Sequence, residues 1–321
     1  MRAVVQEHYG GASALAVQDV ARPEVGDDDV LVHVVAAGVD RGALHFMTGQ
    51  PYLMRLGTGL RDPKVRVPGV SFAGRVAAVG SRVTDLAVGD EVYGAGRGAY
   101  AEYVATPQRK VAVKPPGLSF EEAAVLPYAA FAAVQAVRDH GRVRPGERVL
   151  VVGGTGAVGS IAVQVAKAAG AEVTAVCGPR DQQRATALGA DHVVDYTRED
   201  FTDGSRRYDV ILDVFGRTPI RRLRRALTPR GRLVIVGGEG DRWAGGIQRQ
   251  LGATLLSPFV RQSLRAFVAK EQAGTLRELN DLVAAGQVRP VLGPSYPLDE
   301  AAAAVGTLEA GSAAGRIVVT V

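Results

Sequence analysis

Residues 151–159 read Val151-Val152-Gly153-Gly154-Thr155-Gly156-Ala157-Val158-Gly159, and this stretch decides the fold. It continues an apolar run, Arg148–Val152, and opens residues 157–169, whose apolar positions recur with helical period. Gly154-x-Gly156-x-x-Gly159 therefore stands between a strand and a helix. That setting turns a weak glycine pattern into a dinucleotide-binding fingerprint. Gly154 is expected to make the tight turn, Gly156 to let backbone approach a pyrophosphate, and Gly159 to let helix and strand pack closely. Thr155, Ala157 and Val158 complete the loop, and the helix N-terminus offers N–H groups and partial positive charge to an anion. The alternative is a tight turn that binds nothing.

Strands and helices alternate on both sides of the loop. Ser119 with Glu122 three residues on is a capping-box signature before a helical run. After the loop come an apolar strand at 172–176, a short helix at 182–188, and strands at His192–Asp195, 208–214 and 232–236. Alternation with apolar strands means βαβ units and a parallel sheet covered on both faces. Residues 1–115 have another texture. Short apolar runs at 30–37, 75–79, 91–93 and 101–105 are split by turn signals, which reads as an all-β, barrel-like unit. Beyond it, a helix near 275–285, a strand near 291–296, a helix at 299–309 and a final strand at 316–321 return to the first domain. The expected fold class is α/β: a β-rich domain at 1–118 and 259–321, with a doubly wound Rossmann domain at 119–258 inserted into it.

The chain has 321 residues, 47% hydrophobic and 22% charged, enough for two packed domains. No uninterrupted apolar run reaches the ~18 residues of a membrane span, and the N-terminus lacks the apolar core of a signal peptide. A cytoplasmic protein without membrane partners is expected. One cysteine, Cys177, excludes an intrachain disulfide framework and multi-cysteine zinc sites. The net charge of +5 is densest at Arg221, Arg222, Arg224 and Arg225. No aromatic residues interleave there, so a solvated helix face is expected rather than a nucleic-acid site.

The choice of dinucleotide rests on the end of the second strand. An NAD site places Asp or Glu there for the ribose hydroxyls. Here the residues are Cys177-Gly178-Pro179-Arg180, with no carboxylate before Asp181. Arg180 is placed to meet a 2′-phosphate, so NADPH (NADP+) is the expected cofactor. Cys177 reads as a pocket-lining residue, because no base stands near it in sequence. Ligands of open α/β sheets lie at the carboxyl ends of strands. Phe215 after the fourth strand, and Val236, Gly237 and Gly238 after the fifth, should flank the cofactor.

These segments carry a resemblance. Val35-Ala36-Ala37-Gly38-Val39-Asp40, Val67-Pro68-Gly69-Val70-Ser71-Phe72-Ala73-Gly74, Val88-Gly89-Asp90-Glu91-Val92, Gly98-Ala99-Tyr100-Ala101-Glu102-Tyr103, the glycine loop, Leu188-Gly189-Ala190-Asp191 and Gly315-Arg316-Ile317-Val318 span nearly the whole chain. The chain resembles the medium-chain dehydrogenase/reductase superfamily, in its zinc-independent quinone oxidoreductase branch. The resemblance implies a GroES-like substrate domain, a Rossmann cofactor domain, a cleft between them, and a homodimer joined through an edge strand, expected at 253–260. It also implies cofactor contacts by Tyr196 and Arg316.

Zinc-dependent relatives place Cys at the Asp40 position and His-Glu at Val70-Ser71. Asp40 and His45 offer two donors and no third is evident, so no metal is expected. Without a Lewis acid, alcohol oxidation is difficult, whereas hydride addition to a quinone or an α,β-unsaturated carbonyl needs only positioning and hydrogen-bond donors for the developing enolate. Tyr52, His45 and Asp40 are the candidate catalytic residues, with Ser71 as a weaker one. The segments 50–68 and 243–258 are candidate pocket walls. The expected function is an NADPH-dependent reductase of a quinone or enone (enoyl) substrate. The alternatives are a pathway-specific reductase of secondary metabolism with the same chemistry, and an NADPH-sensing protein without turnover.

Overall fold

The computed structural model of the chain describes residues 1–237 and 242–321. Two compact units result: Met1–Ala129 with Glu271–Ala284 and Pro290–Val321, and Ala130–Lys270 with Ala285–Arg289. The boundaries differ from those expected at 118/119 and 258/259. The helix Phe120–Ala124 packs on strands of the first unit, and the last parallel strand lies beyond residue 258.

Strands β1 (Arg2–Gln6) and β2 (Leu15–Asp19) form an antiparallel pair. The other strands of the first segment are β3 (Asp29–Val39), β4 (Ser71–Val79), β5 (Glu91–Ala95), β6 (Tyr103–Pro107) and β7 (Val111–Val113). The second unit holds β8 (Arg148–Val152), β9 (Glu172–Cys177), β10 (His192–Asp195), β11 (Tyr208–Asp213), β12 (Leu227–Ile235) and β13 (Ser263–Ala266). The chain closes with β14 (Leu292–Pro297) and β15 (Arg316–Thr320).

In the first unit the sheet order is β14-β15-β3-β4-β5-β7, with β6 on β3. The expectation that the last strand joins the N-terminal domain holds. Ile317 to Thr320 pair antiparallel with Val39 to Ala36. Val30, Val32, Val34, Phe72, Tyr93 and Val104 fill the core. The helix Phe120–Ala124 starts on the expected capping box: Ser119 Oγ accepts from Glu122 N–H, and the Glu122 carboxylate accepts from Ser119 N–H.

In the second unit all six strands run parallel in the order β10-β9-β8-β11-β12-β13. The chain leaves β8 to build one half outward through β9 and β10, then crosses back to build the other. The switch point therefore lies beside the carboxyl end of β8, where such sheets bind ligands. Leu150, Val176, Ile211, Leu223 and Leu233 form the core.

The segment expected as an edge strand, 253–260, is instead the helix Ile247–Leu256 followed by a 3₁₀ turn, Ser257–Phe259. Ala253 is buried while Leu251 and Leu255 are exposed, so the helix is apolar on two faces. A short run of that kind looks like a strand in sequence. The edge strand is β13. Among the described residues, no helix is long and apolar enough to cross a membrane. Part of the arginine cluster is tied down within the chain. Arg222 bonds Asp200 and Thr202, and Arg224 bonds Gln262.

Candidate functional site

The glycine loop leaves β8 through Gly153, which takes φ +85°. The left-handed turn thus belongs to Gly153, and the expectation that Gly154 makes it is corrected. Only glycine adopts that backbone freely, and Gly153 lies one residue ahead of the three-glycine pattern. Gly154 serves packing instead, since a Cβ there would lie 2.8 Å from the Ala175 Cβ. Gly159 is pressed against the start of the loop, because a Cβ built on it would lie 2.0 Å from the Gly153 carbonyl oxygen. Gly156 is different: a Cβ there meets only that oxygen, at 3.4 Å. The chain itself leaves room for a side chain at Gly156, so the glycine keeps space for something outside the chain.

Gly156 is also the N-cap of the helix Ala157–Ala168, and no side chain caps it. The Ser160 N–H bonds the Gly156 carbonyl at 2.8 Å. The amides of Ala157, Val158 and Gly159 precede that bond and are the ones an α-helix leaves without a carbonyl. With Thr155 in the loop ahead of them, they form an anion cradle of the expected kind.

At the end of β9, Cys177 is buried, and burial pushes its thiol up to about 11, so it stays an inert thiol. Gly178 lies beside the Tyr196 ring, which is 61% exposed. Arg180 is exposed and makes no ion pair among the described residues. The nearby carboxylates are engaged. Asp181 pairs with Arg184 at 3.2 Å, and buried Asp195 accepts from Thr197 N–H and Oγ and from Gln182 Nε2. Phe215 backs onto Gly153, whose Cβ position is 3.3 Å from the Phe215 Cβ. Val236 and Gly237 donate N–H bonds to the Asp213 carbonyl. The structure thus brings Phe215, Val236 and Gly237 to the strand ends around the loop. Gly238 lies outside the described residues. The helix Ile247–Leu256 with Ala266, Phe267 and Val268 borders a recess of about 520 Å³. One part of the expected 243–258 wall, Ile247 to Thr254, lines it.

A pair that sequence reading missed sits below these strand ends. Asp213 is fully buried and pairs with Arg249. Burial raises its carboxyl above the usual range, against the pull of Arg249 and the Gly216 N–H.

In the first unit, Asp40 follows β3 and caps the helix Arg41–Thr48, accepting from Ala43 N–H at 2.8 Å. Its second oxygen accepts from Ser71 Oγ at 3.3 Å. Asp40 is 2% exposed. Burial raises its carboxyl, while Arg316, Ala43 and Ser71 pull it down. Asp40 is therefore placed as an internal cap. Arg316 opens β15 in this same unit and interacts with Asp40, Tyr100 and Tyr128; its Nη2 is enclosed and has no partner among the described residues. His45 Nδ1 lies 2.9 Å from the Gln50 carbonyl, so the neutral ring carries its proton there and Nε2 is an acceptor. Tyr52 is half-buried under the Arg55 guanidinium, 4.7 Å from the ring centre. The 50–68 segment supplies Thr58, Pro63, Val65, Val67 and Pro68 to a recess of about 420 Å³, closed by Phe46 and Met47. Tyr52 is not among its lining residues.

The donors at the positions where zinc relatives hold metal do not fit a metal. Both Asp40 oxygens are taken, Val70 has no donor, and Ser71 bonds Asp40. Among the described residues, no group of three His, Cys, Asp or Glu could hold an ion.

Two family models match the chain: alcohol dehydrogenase GroES-like domain over residues 26–116, and zinc-binding dehydrogenase over residues 188–319. A 2-methylene-furan-3-one reductase of Solanum lycopersicum is 32% identical, covering 99% of this chain and 79% of that protein. An NADPH-dependent alkenal/one oxidoreductase, chloroplastic, of Arabidopsis thaliana is 31% identical with the same coverage. The structure of the quinone oxidoreductase from Coxiella burnetii superposes with a TM-score of 0.83 at 27% identity, covering 100% of this chain and 99% of that one.

Proposed function

This chain belongs to the medium-chain dehydrogenase/reductase superfamily, in its zinc-independent quinone oxidoreductase-like branch, and we propose that it reduces quinones or α,β-unsaturated carbonyl compounds with NADPH. The observation that carries the reading is the uncapped helix N-terminus behind Gly156, in a relative of enone and quinone reductases. Bound NADPH supplies a hydride to the carbon β to the carbonyl, leaving an enolate to be protonated. Thr155, Ala157, Val158 and Gly159 hold the pyrophosphate through backbone N–H groups. Arg180 meets the 2′-phosphate by a charge-assisted contact worth about 1.5–3 kcal/mol, with Cys177, Gly178 and Tyr196 around the adenosine. Phe215, Val236 and Gly237 flank the nicotinamide half, and Arg316, whose Nη2 has no partner among the described residues, is a further cofactor contact. In the first unit, Tyr52 and His45 contact the substrate, and Asp40 positions the helix that carries His45.

The proposal includes a cytoplasmic homodimer. β13 ends the sheet order, and Leu251, Leu255 and Phe259 are exposed near it in sequence. A bare apolar edge is stabilised by pairing with a second copy.

The test is loss of NADPH absorbance with a panel of enones and quinones. Turnover of at least one, dependent on NADPH, is expected. Tight NADPH binding without turnover of any compound would favour the sensor reading and reject the reductase.

A further inference from the structure

The first unit holds a tyrosine that sequence reading passed over. Tyr128 stands in the first turn of the helix Pro127–Gln135. Its N–H donates to Ser71 Oγ at 3.3 Å, and Ser71 donates to Asp40. Its ring lies over the first turn of the helix that Asp40 caps. A Cβ built on Gly42 would lie 2.3 Å from the Tyr128 Cζ and 2.7 Å from its hydroxyl oxygen, so only glycine accommodates the ring there. The hydroxyl has no hydrogen-bond partner among the described residues, and its oxygen is not enclosed. A half-buried phenol whose ring is held this firmly and whose O–H opens outward keeps that proton free for a group from outside the chain.

We propose that the Tyr128 hydroxyl is the proton donor of the reductive half-step: it hydrogen-bonds the substrate carbonyl oxygen and delivers the proton that completes reduction. The proposal rests on the reductase reading above. Hydride adds to the β-carbon and the carbonyl π electrons move to oxygen. The phenol O–H then breaks as its proton passes to the α-carbon of an enone's enolate, which re-forms the C=O, or to the oxygen of a reduced quinone, and the phenolate regains a proton from water. NADPH is oxidised and the alkene or quinone reduced. Proton transfer by a positioned side chain contributes about 10²–10⁴-fold.

The surroundings keep the proton in place until it is needed. Burial, with Asp40 and Glu271 nearby, pushes the phenol up to about 12 against the pull of Arg316. It is therefore fully protonated at neutral pH, and an enolate is basic enough to take its proton. Tyr52, by contrast, lies beside a guanidinium. His45 in its bonded tautomer presents an acceptor.

Three measurements on the full-length enzyme test this. Tyr128→Phe is expected to lower kcat for an enone about a hundredfold without changing the NADPH dissociation constant. Calorimetry with cyclohexanone and NADP+ should show about tenfold weaker ketone binding in the variant, the loss of one hydrogen bond. In heavy water, reduction of a 2-methyl enone should lose its facial selectivity of deuterium addition in Tyr128→Phe. Gly42→Ala, which forces the ring aside, should lower kcat likewise if Tyr128→Phe fails to fold. A wild type that reduces enones while Tyr128→Phe keeps its kcat, ketone affinity and selectivity overturns the inference and leaves the reductase reading standing. The same holds if Tyr52→Phe alone carries all three losses. A wild type that reduces nothing overturns both.

Discussion

Gly159→Ala is expected to abolish dinucleotide binding, by at least about a thousandfold in dissociation constant, or ~4 kcal/mol. The added methyl would sit 2.0 Å from the Gly153 carbonyl oxygen. Neither partner is a flexible side chain. The helix must move off the strand or the loop must open, and the three free amides then no longer converge. The thermal midpoint should fall as well, because backbone is being displaced in a close-packed place. Gly156→Ala gives the contrasting result. Its methyl meets only one atom, at 3.4 Å, and Gly156 already has φ −70°. Stability should stay within about 0.5 kcal/mol of wild type, while NADPH affinity falls. Equal stability loss in both variants would mean that the open space at Gly156 has nothing to do with a ligand.

Arg249→Met is expected to destabilise the second unit by about 3–5 kcal/mol at neutral pH, the cost of leaving a buried charge unpaired. Asp213 is 0% exposed, and Arg249 is its only cationic partner among the described residues, also bonding the Thr218 carbonyl. The effect must depend on pH. Burial raises the folded carboxyl above its unfolded value, so the folded state binds the proton more tightly. Its contribution to stability is complete below the unfolded value and is lost as pH rises through the folded one. Removing Arg249 raises the folded value further and widens that window upward. Thermal unfolding of the variant should therefore show a small deficit at about pH 4, close to the ordinary Asp value, and a large one at about pH 7, where an unpaired carboxylate must either ionise in a dry place or hold its proton. A deficit independent of pH would show that Arg249 acts through packing alone.

Much of the fold was legible because it rests on local signals. The glycine loop, the apolar parallel strands and the Ser119 capping box each declare themselves within a few residues. The 253–260 segment did not, because a helix apolar on two faces and a strand share one short pattern. Gly153 was overlooked since a fingerprint counts glycines and says nothing of which one turns. Asp40 has the chemistry of a reactive carboxylate, yet its position just before a helix is itself a capping signal. Tyr128 and Gly42 could not be joined from sequence. Their contact links distant segments, and its only trace is a tyrosine after Leu126-Pro127 in an alanine-rich run. Asp213 and Arg249 are likewise brought together only by the crossing from β11 to the later helix.

The proposed cofactor is tested most directly by a fluorescence titration with NADPH and NADH, for wild type and Arg180→Ala. Wild type is predicted to bind NADPH at least about tenfold tighter than NADH, ~1.4 kcal/mol. Arg180→Ala should erase that preference while leaving NADH affinity unchanged. Failure of wild type to bind either nucleotide, or a preference for NADH, would contradict the NADPH-dependent reductase at its centre.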